Sequence, residues 1–339
     1  PESERRDQIL GELRGILRRL ETASDAFNRT LRPASGGPAA VRWLEKSGQR
    51  SGHVSLAAVP LDLAPLLREL IFEKVETVAL TSATLAAGGD FEFLESRLGL
   101  SGEGSPVAVR EILPSPFDFG SQCLFGIPDD LPDPREDETA HAVAVSQVVS
   151  DLAGASDGGM FVLFTSYAAL RRVAAELRGT LDPRWPLLVQ GEGGRDQLLR
   201  RFREAGNAIL LGTDSFWEGV DVPGRALRVL VLTKLPFKVP GEPITQARLE
   251  RLAEDGQDGF MHYLLPHAAL KLKQGFGRLI RSSRDVGVVV LLDRRVLTRR
   301  YGPLILHGLP RAETVVGSWT QVRTRCEDFF ARHGLGAGV

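Results

Sequence analysis

Hydrophobic positions recur along this chain in distinct rhythms. Over residues 4–31, Ile9, Leu13, Ile16, Leu17 and Leu20 return at helical spacing between arginines and glutamates, which predicts one long helix. The stretch RPASGGP at 32–38 breaks it. HVSLAAVPLDL then reads as a strand and turn, and APLLRELIFEKV as a short amphipathic helix. TVALTSATL reads as a strand tipped with small hydroxyl residues, and Phe91 to Leu98 as a helix. A proline-rich stretch over 105–138, ending in DDLPDPREDE, reads as strand and loop joining two lobes.

Beyond it the rhythm becomes strand, helix, strand. GMFVLFTSY predicts a strand, AALRRVAAELRG a helix, PLLVQ a strand, RDQLLRRFREAG a helix and NAILLGT a strand. LRVLVLTKLPF is a further strand, residues 243–281 are mainly helical, and VGVVVLLD is a strand again. Continuous apolar strands alternating with helices indicate an α/β fold, a parallel sheet covered on both faces. In such a sheet, ligands bind beyond the carboxyl ends of the strands. The informative loops are therefore TSATL (81–85), TSY (165–167), GTDSFWEGVDVPG (212–224) and KLPF (234–237). Their hydroxyls and backbone amides can hold phosphate oxygens.

Composition narrows the choices. The chain has 339 residues, a length for two or three domains, with 43% apolar and 25% charged residues and a net charge of −1. A polyanion site must then be a local patch. Two cysteines, Cys123 and Cys326, cannot build a four-cysteine cluster site, and six scattered histidines show no metal spacing. Sparse cysteines suit a reducing, cytoplasmic setting. No apolar run approaches membrane-span length, and the charged N-terminus is not a signal peptide.

Two segments carry candidate chemistry. Loop 212–224 places Asp214, Glu218 and Asp221 among flexible glycines, with Phe216 and Trp217 beside them; a solvated acidic loop and a ligand-facing hinge both fit. In QGFGRLIRSSRD, helical spacing puts Gln274, Arg278 and Arg281 on one face, with Lys271, Lys273 and Arg284 nearby. Gly275 and Gly277 suit close approach of another backbone. That face is either solvated or a phosphate clamp of one amide and two guanidiniums. No lysine follows a glycine, so a phosphate-cradling GK[ST] loop is absent, and no acidic Mg²⁺ box follows an apolar strand.

Taken in order, TSATL, FVLFTSY, GTDSFWEGVDVPG and QGFGRLIRSSRD resemble motifs III, IV, V and VI of the DinG/XPD-like superfamily 2 helicases, over roughly residues 40–330. SPF at 115–117 and LPFKVPGEP at 235–243 resemble the bacterial DinG-type branch. The resemblance implies a RecA-like parallel sheet flanked by helices, the second helicase motor domain, preceded by a helical segment and a partial first motor domain. Residues 1–45 would be the remnant of an arch-like insertion, 46–100 the end of the first motor domain (motif III), and 101–339 the second (motifs IV–VI). It implies ATP-driven 5′-to-3′ unwinding of DNA, with ATP and Mg²⁺ bound jointly with the first RecA-like domain of the same parent. An iron–sulfur cluster would belong to the parent, not this chain. Single-stranded and forked or branched DNA are the implied partners, and a monomer the implied state.

Carried over by position, Arg281, Arg278 and Gln274 would face the γ-phosphate, with Arg281 the arginine-finger candidate. Glu218, Gly219 and Asp221 would form the motif V hinge, and Ser82 and Thr84 would couple the lobes. Thr165, Ser166 and Thr213 would touch the DNA backbone, and Trp217 would stack or pack. Motifs I and II are missing, so the chain reads as a fragment without ATPase activity of its own. The alternative is a non-catalytic RecA-like module that binds nucleic acid or protein.

Overall fold

The computed structural model describes residues 2–31, 40–47, 53–87, 89–102, 104–107, 109–213, 216 and 226–335. They fall into two compact units, one of residues 1–78, 95–107 and 239–260, the other of 79–94, 108–238 and 261–339.

In the first unit a 30-residue helix, Glu2–Leu31, follows the helical spacing of the sequence. Its Leu13, Ile16, Leu17 and Leu20 are nonetheless exposed. Strands β1 (Ala40–Ser47) and β2 (His53–Pro60) form an antiparallel hairpin. The predicted helix after it is shorter than its pattern, Ala64–Leu67, and continues as a π-turn over Arg68–Phe72. The helix Pro243–Glu254 packs on β1.

The second unit holds a seven-stranded parallel sheet. Its strands are β3 (Cys123–Pro128), β4 (Met160–Leu163), β5 (Leu187–Val189), β6 (Ile209–Gly212), β7 (Val229–Leu232), β8 (Gly287–Leu291) and β9 (Glu313–Gly317), ordered β5-β6-β4-β7-β8-β3-β9. Side chains alternate between faces, and both faces are covered, so β3, β4, β6, β7 and β8 are buried throughout and have no polar side. On one face Val162, Val231 and Val290 pack with Val145, Val149 and Leu152 of the helix Glu138–Ser156 and with Val322, Cys326 and Phe329 of the helix Trp319–Arg332. On the other, Phe161 meets Phe202 at 4.6 Å and Phe125 meets Phe276 at 4.9 Å between ring centroids. Burial pushes both thiols, Cys123 and Cys326, up to about 12, so they act as packing groups.

The structure corrects one sequence expectation here. The TVALTSATL stretch forms no strand; Val78 and Leu80 are exposed, because no neighbouring strand takes up its backbone groups. The proline-rich stretch, read as strand and loop, does contain a strand, β3, which lies between β8 and β9. The helices Glu138–Ser156 and Trp319–Arg332 and strand β9 had no counterpart in the sequence reading.

Candidate nucleotide and nucleic-acid site

Parallel pairing brings every strand's carboxyl end to one edge of the sheet. The chain leaves β4 toward β5 and β6 but leaves β7 toward β8, so the connections diverge between the adjacent strands β4 and β7. A crevice opens at such a switch point. Thr165 lies there half-buried, and Ser166 caps the helix Tyr167–Thr180, its hydroxyl accepting from the Ala169 N–H at 3.3 Å.

Gln190, which the sequence reading passed over, ties three strand ends together. Its Oε1 accepts from the Thr213 N–H and from the Thr213 hydroxyl (3.0 Å), while its Nε2 donates to the Tyr167 hydroxyl. Thr213 is buried and its hydroxyl is committed inward, whereas the exposed Tyr167 keeps its own proton to donate. Gly212 is required by Phe216: a Cβ there would stand 2.8 Å from the Phe216 Cβ. Phe216 is itself buried against this turn and takes no part in stacking at the surface. The remaining loop calls, Asp214, Trp217, Glu218, Gly219 and Asp221, lie outside the described residues.

The cation-rich segment departs from its helical reading. The helix Leu265–Leu279 carries Gln274 and, in its last turn, Arg278. It stops before Arg281, because Ile280 is extended (φ −110°, ψ 113°). The Asp285 carboxylate then accepts the Arg281 N–H at 2.9 Å and the Ser282 N–H at 2.8 Å, satisfying amides that a longer helix would have bonded. Gln274, Arg278 and Arg281 thus do not share one helix face. Nor does Gly277 accommodate a neighbour, for a Cβ there meets nothing within 4 Å among the described residues. Gln122 holds the bend from below, its amide donating to the carbonyls of Ser282 (2.9 Å) and Asp285 (2.7 Å). Arg281 is half-buried; burial lowers its pKa, Asp285 opposes that, and nearby Arg203 adds to it. It stays charged all the same.

Gln274 also reaches the TSAT stretch. Its Nε2 lies 3.5 Å from the Thr84 hydroxyl, and Thr84 in turn contacts the exposed Ser82 hydroxyl at 3.2 Å. Both segments belong to the same compact unit. The predicted coupling residues Ser82 and Thr84 are thereby brought beside the predicted clamp residue Gln274.

A buried ion pair follows β8. Asp293, 3% exposed, takes the Arg295 guanidinium on both oxygens and also accepts the Leu235 N–H at 2.8 Å and the Arg295 N–H at 3.1 Å. Burial alone would raise the Asp293 pKa, but these donors outweigh it and hold the carboxylate below its usual range. The pair therefore binds the loop after β7 to the loop after β8. Tyr301 stacks edge-on against Phe237 at 5.5 Å just beyond. Sequence offered one signal for this pair, two charges two residues apart directly after a greasy strand.

Residues 149–312 match the family described as helicase C-terminal domain. The chain is 40% identical over 262 residues to an ATP-dependent DNA helicase YoaA of Escherichia coli K12, covering 77% of this chain and 40% of the relative. It is 35% identical over 317 residues to an ATP-dependent DNA helicase DinG of Photobacterium profundum, covering 91% of this chain and 45% of the relative. It thus spans less than half the length of these relatives. Among solved structures, an XPD helicase aligns with TM-score 0.57 at 18% identity, over 77% of this chain and 46% of that one. Xpd4 of S. tokodaii aligns with TM-score 0.52 at 19% identity, over 77% and 48%. The chain thus matches a helicase C-terminal domain over residues 149–312, is similar in sequence to relatives named YoaA and DinG helicases, and shares its fold with XPD helicase structures.

Proposed function

We propose that this DinG/XPD-like helicase C-terminal region is the second motor half of an ATP-dependent DNA helicase with 5′-to-3′ polarity. Residues 1–45 are then the arch-like remnant, 46–100 the end of the first motor domain and 101–339 the second. The observation that carries this reading is the approach of Gln274 to Thr84 within one compact unit, with Arg278 one turn on and Arg281 at the bend beyond.

Phosphoryl transfer spreads negative charge over the γ-phosphate oxygens, and catalysis is mostly positioning and charge stabilisation. Arg281 would meet that charge as an arginine finger, with Arg278 beside it. A guanidinium bridges two phosphate oxygens, which an ammonium does less well. Gln274 would pass the state of the nucleotide to Ser82 and Thr84, and Glu218, Gly219 and Asp221 would pass it toward DNA. These amide and cationic groups suit the phosphates of ATP; its Mg²⁺ calls for carboxylates from the first motor domain. Thr165, Ser166 and Tyr167 would donate to DNA phosphates at the switch point, with Thr213 acting through Gln190 and Trp217 flanking them. Such contacts hold the backbone without reading sequence.

In the full-length parent, Arg281→Lys should lower kcat for ATP by about 10³ while ATP and DNA binding stay nearly intact. Arg284→Lys should be tolerated. Equal, small effects from both would defeat the arginine-finger role. The 339-residue chain by itself should show no DNA-stimulated ATPase activity, and turnover by a contaminant-free preparation would refute the division of the site between two halves.

A further inference from the structure

Only six of the 42 lysines and arginines are lysine. One of them, Lys234, lies at the switch point. Leu163 of β4 pairs with Leu232 of β7, so Thr165 and Lys234 each sit two residues past the same register pair. Thr233 locks the two ends together, its N–H and hydroxyl both donating to the Leu163 carbonyl at 3.1 and 3.0 Å. The next residue, Leu235, is held by the buried Asp293 carboxylate. The backbone on both sides of Lys234 is therefore fixed.

The side chain is treated differently. Lys234 is half-buried and has no hydrogen-bond or ion-pair partner among the described residues. Asp293, whose charge reaches Lys234, is already taken by Arg295 and two backbone amides. Burial and the Arg295 guanidinium both push the Lys234 pKa down. A second orphan lies alongside. His141 is 8% exposed and its Nε2 is buried without a partner. Burial first, and the Lys234 ammonium further on, lower the pKa of that ring against an opposing backbone hydrogen bond to Leu292. A desolvated ammonium without a partner works against folding. Here it belongs to the loop at the edge of the sheet where ligands bind, on a braced backbone, level in register with Thr165.

We propose that Lys234 holds a backbone phosphate of single-stranded DNA beside Thr165 at the β4–β7 switch point, positioned by the Asp293–Arg295 brace. This rests on the nucleic-acid reading above and adds a contact that the motif resemblance did not supply. The bound phosphate becomes the missing partner: its oxygens accept from the ammonium and from the Thr165 hydroxyl. No covalent step is involved.

The test measures binding of labelled oligothymidylate to the purified chain across a salt series, together with thermal melting. Lys234→Met should weaken binding and reduce the magnitude of the log–log salt slope by about 0.7, one phosphate contact on a single strand. The same substitution should raise Tm, because it removes a half-buried charge that has no ion-pair partner among the described residues. Lys234→Arg should keep the slope. Arg325→Gln, at the opposite edge of the sheet, should leave the slope unchanged. A purely structural lysine would give an unchanged slope or a lower Tm on Lys234→Met, and either result overturns the proposal alone. No binding by the unmodified chain at low salt would overturn both the proposal and the DNA-contact reading on which it rests.

Discussion

Two acidic residues near opposite ends of the same sheet hold arginines, and only one of them acts as an anchor. Asp293, beyond the carboxyl end of β8, pairs with Arg295 where the two side chains are 3% and 9% exposed. Glu313, at the start of the edge strand β9, accepts from Arg325 and, at 2.9 Å, from Arg332, with the three side chains 25%, 48% and 52% exposed. Glu313 has two cations and Asp293 has one. Burial nevertheless makes the Asp293 pair the consequential one. Water screens the Glu313 cluster, and ordering long side chains offsets much of its attraction. Around Asp293 water is excluded, and two backbone amides complete the carboxylate's shell, so removing any member strands the others. The difference teaches that the count of charge partners says little about their effect; desolvation and the backbone they hold decide it.

The comparison is broken most directly by Asp293→Ala. It leaves Arg295 buried without its carboxylate and frees the Leu235 N–H, and should destabilise the chain by about 3–5 kcal/mol in denaturant unfolding. A loss below about 1 kcal/mol, the range of exposed pairs, would erase the distinction drawn here.

Acid sharpens it next. The folded pKa of Asp293 lies below its unfolded value, so its contribution is full above the unfolded pKa and is lost as pH falls through the lower folded one. Burial likewise depresses His141 from 6.5, so the unfolded chain binds a proton that the folded chain refuses. Stability should begin to fall as pH drops below about 6.5, well before any carboxylate titrates. In His141→Asn that first decline should vanish while the lower acid transition persists. A pH profile identical to that of the unmodified chain would show that His141 protonates freely in the folded state.

The smallest effect belongs to the exposed cluster. Arg325→Gln leaves Arg332 on Glu313 and should change stability by less than about 1 kcal/mol, shrinking further with added salt. A larger, salt-insensitive loss would place Glu313 in the same class as Asp293.

Much of the sheet was legible because buried parallel strands announce themselves. NAILLGT and VGVVVLLD are continuous apolar runs, and both became strands with neighbours on each side. TVALTSATL reads the same way by composition yet forms no strand, since pairing belongs to the neighbours and not to the run. The helix Glu138–Ser156 was illegible for the opposite reason. ETAHAVAVSQVVSDLAGAS is rich in valine and small residues and is buried along much of its length, so it lacks a polar stripe to show helical period. Its one clear signal was Asp137, whose carboxylate caps the Thr139 and Ala140 amides at 2.9 and 2.8 Å.

The sequence by itself determined most of the buried strands, the absence of a phosphate-cradling loop, and the residues at the strand tips, because apolar periodicity and residue chemistry are local properties. It also marked Gln274 and the arginines after it as belonging together. Only the tertiary structure decided that Arg281 leaves the helix, because the Asp285 carboxylate that captures its amide lies four residues on, and Gln122 from another strand's approach holds the Asp285 backbone carbonyl. Only the tertiary structure set Lys234 and Thr165, residues 69 apart in sequence, two residues past the same register pair, because the register of β4 against β7 is fixed by packing on both faces of the sheet. Which strand ends become neighbours is set by burial and pairing that no stretch of this chain contains alone.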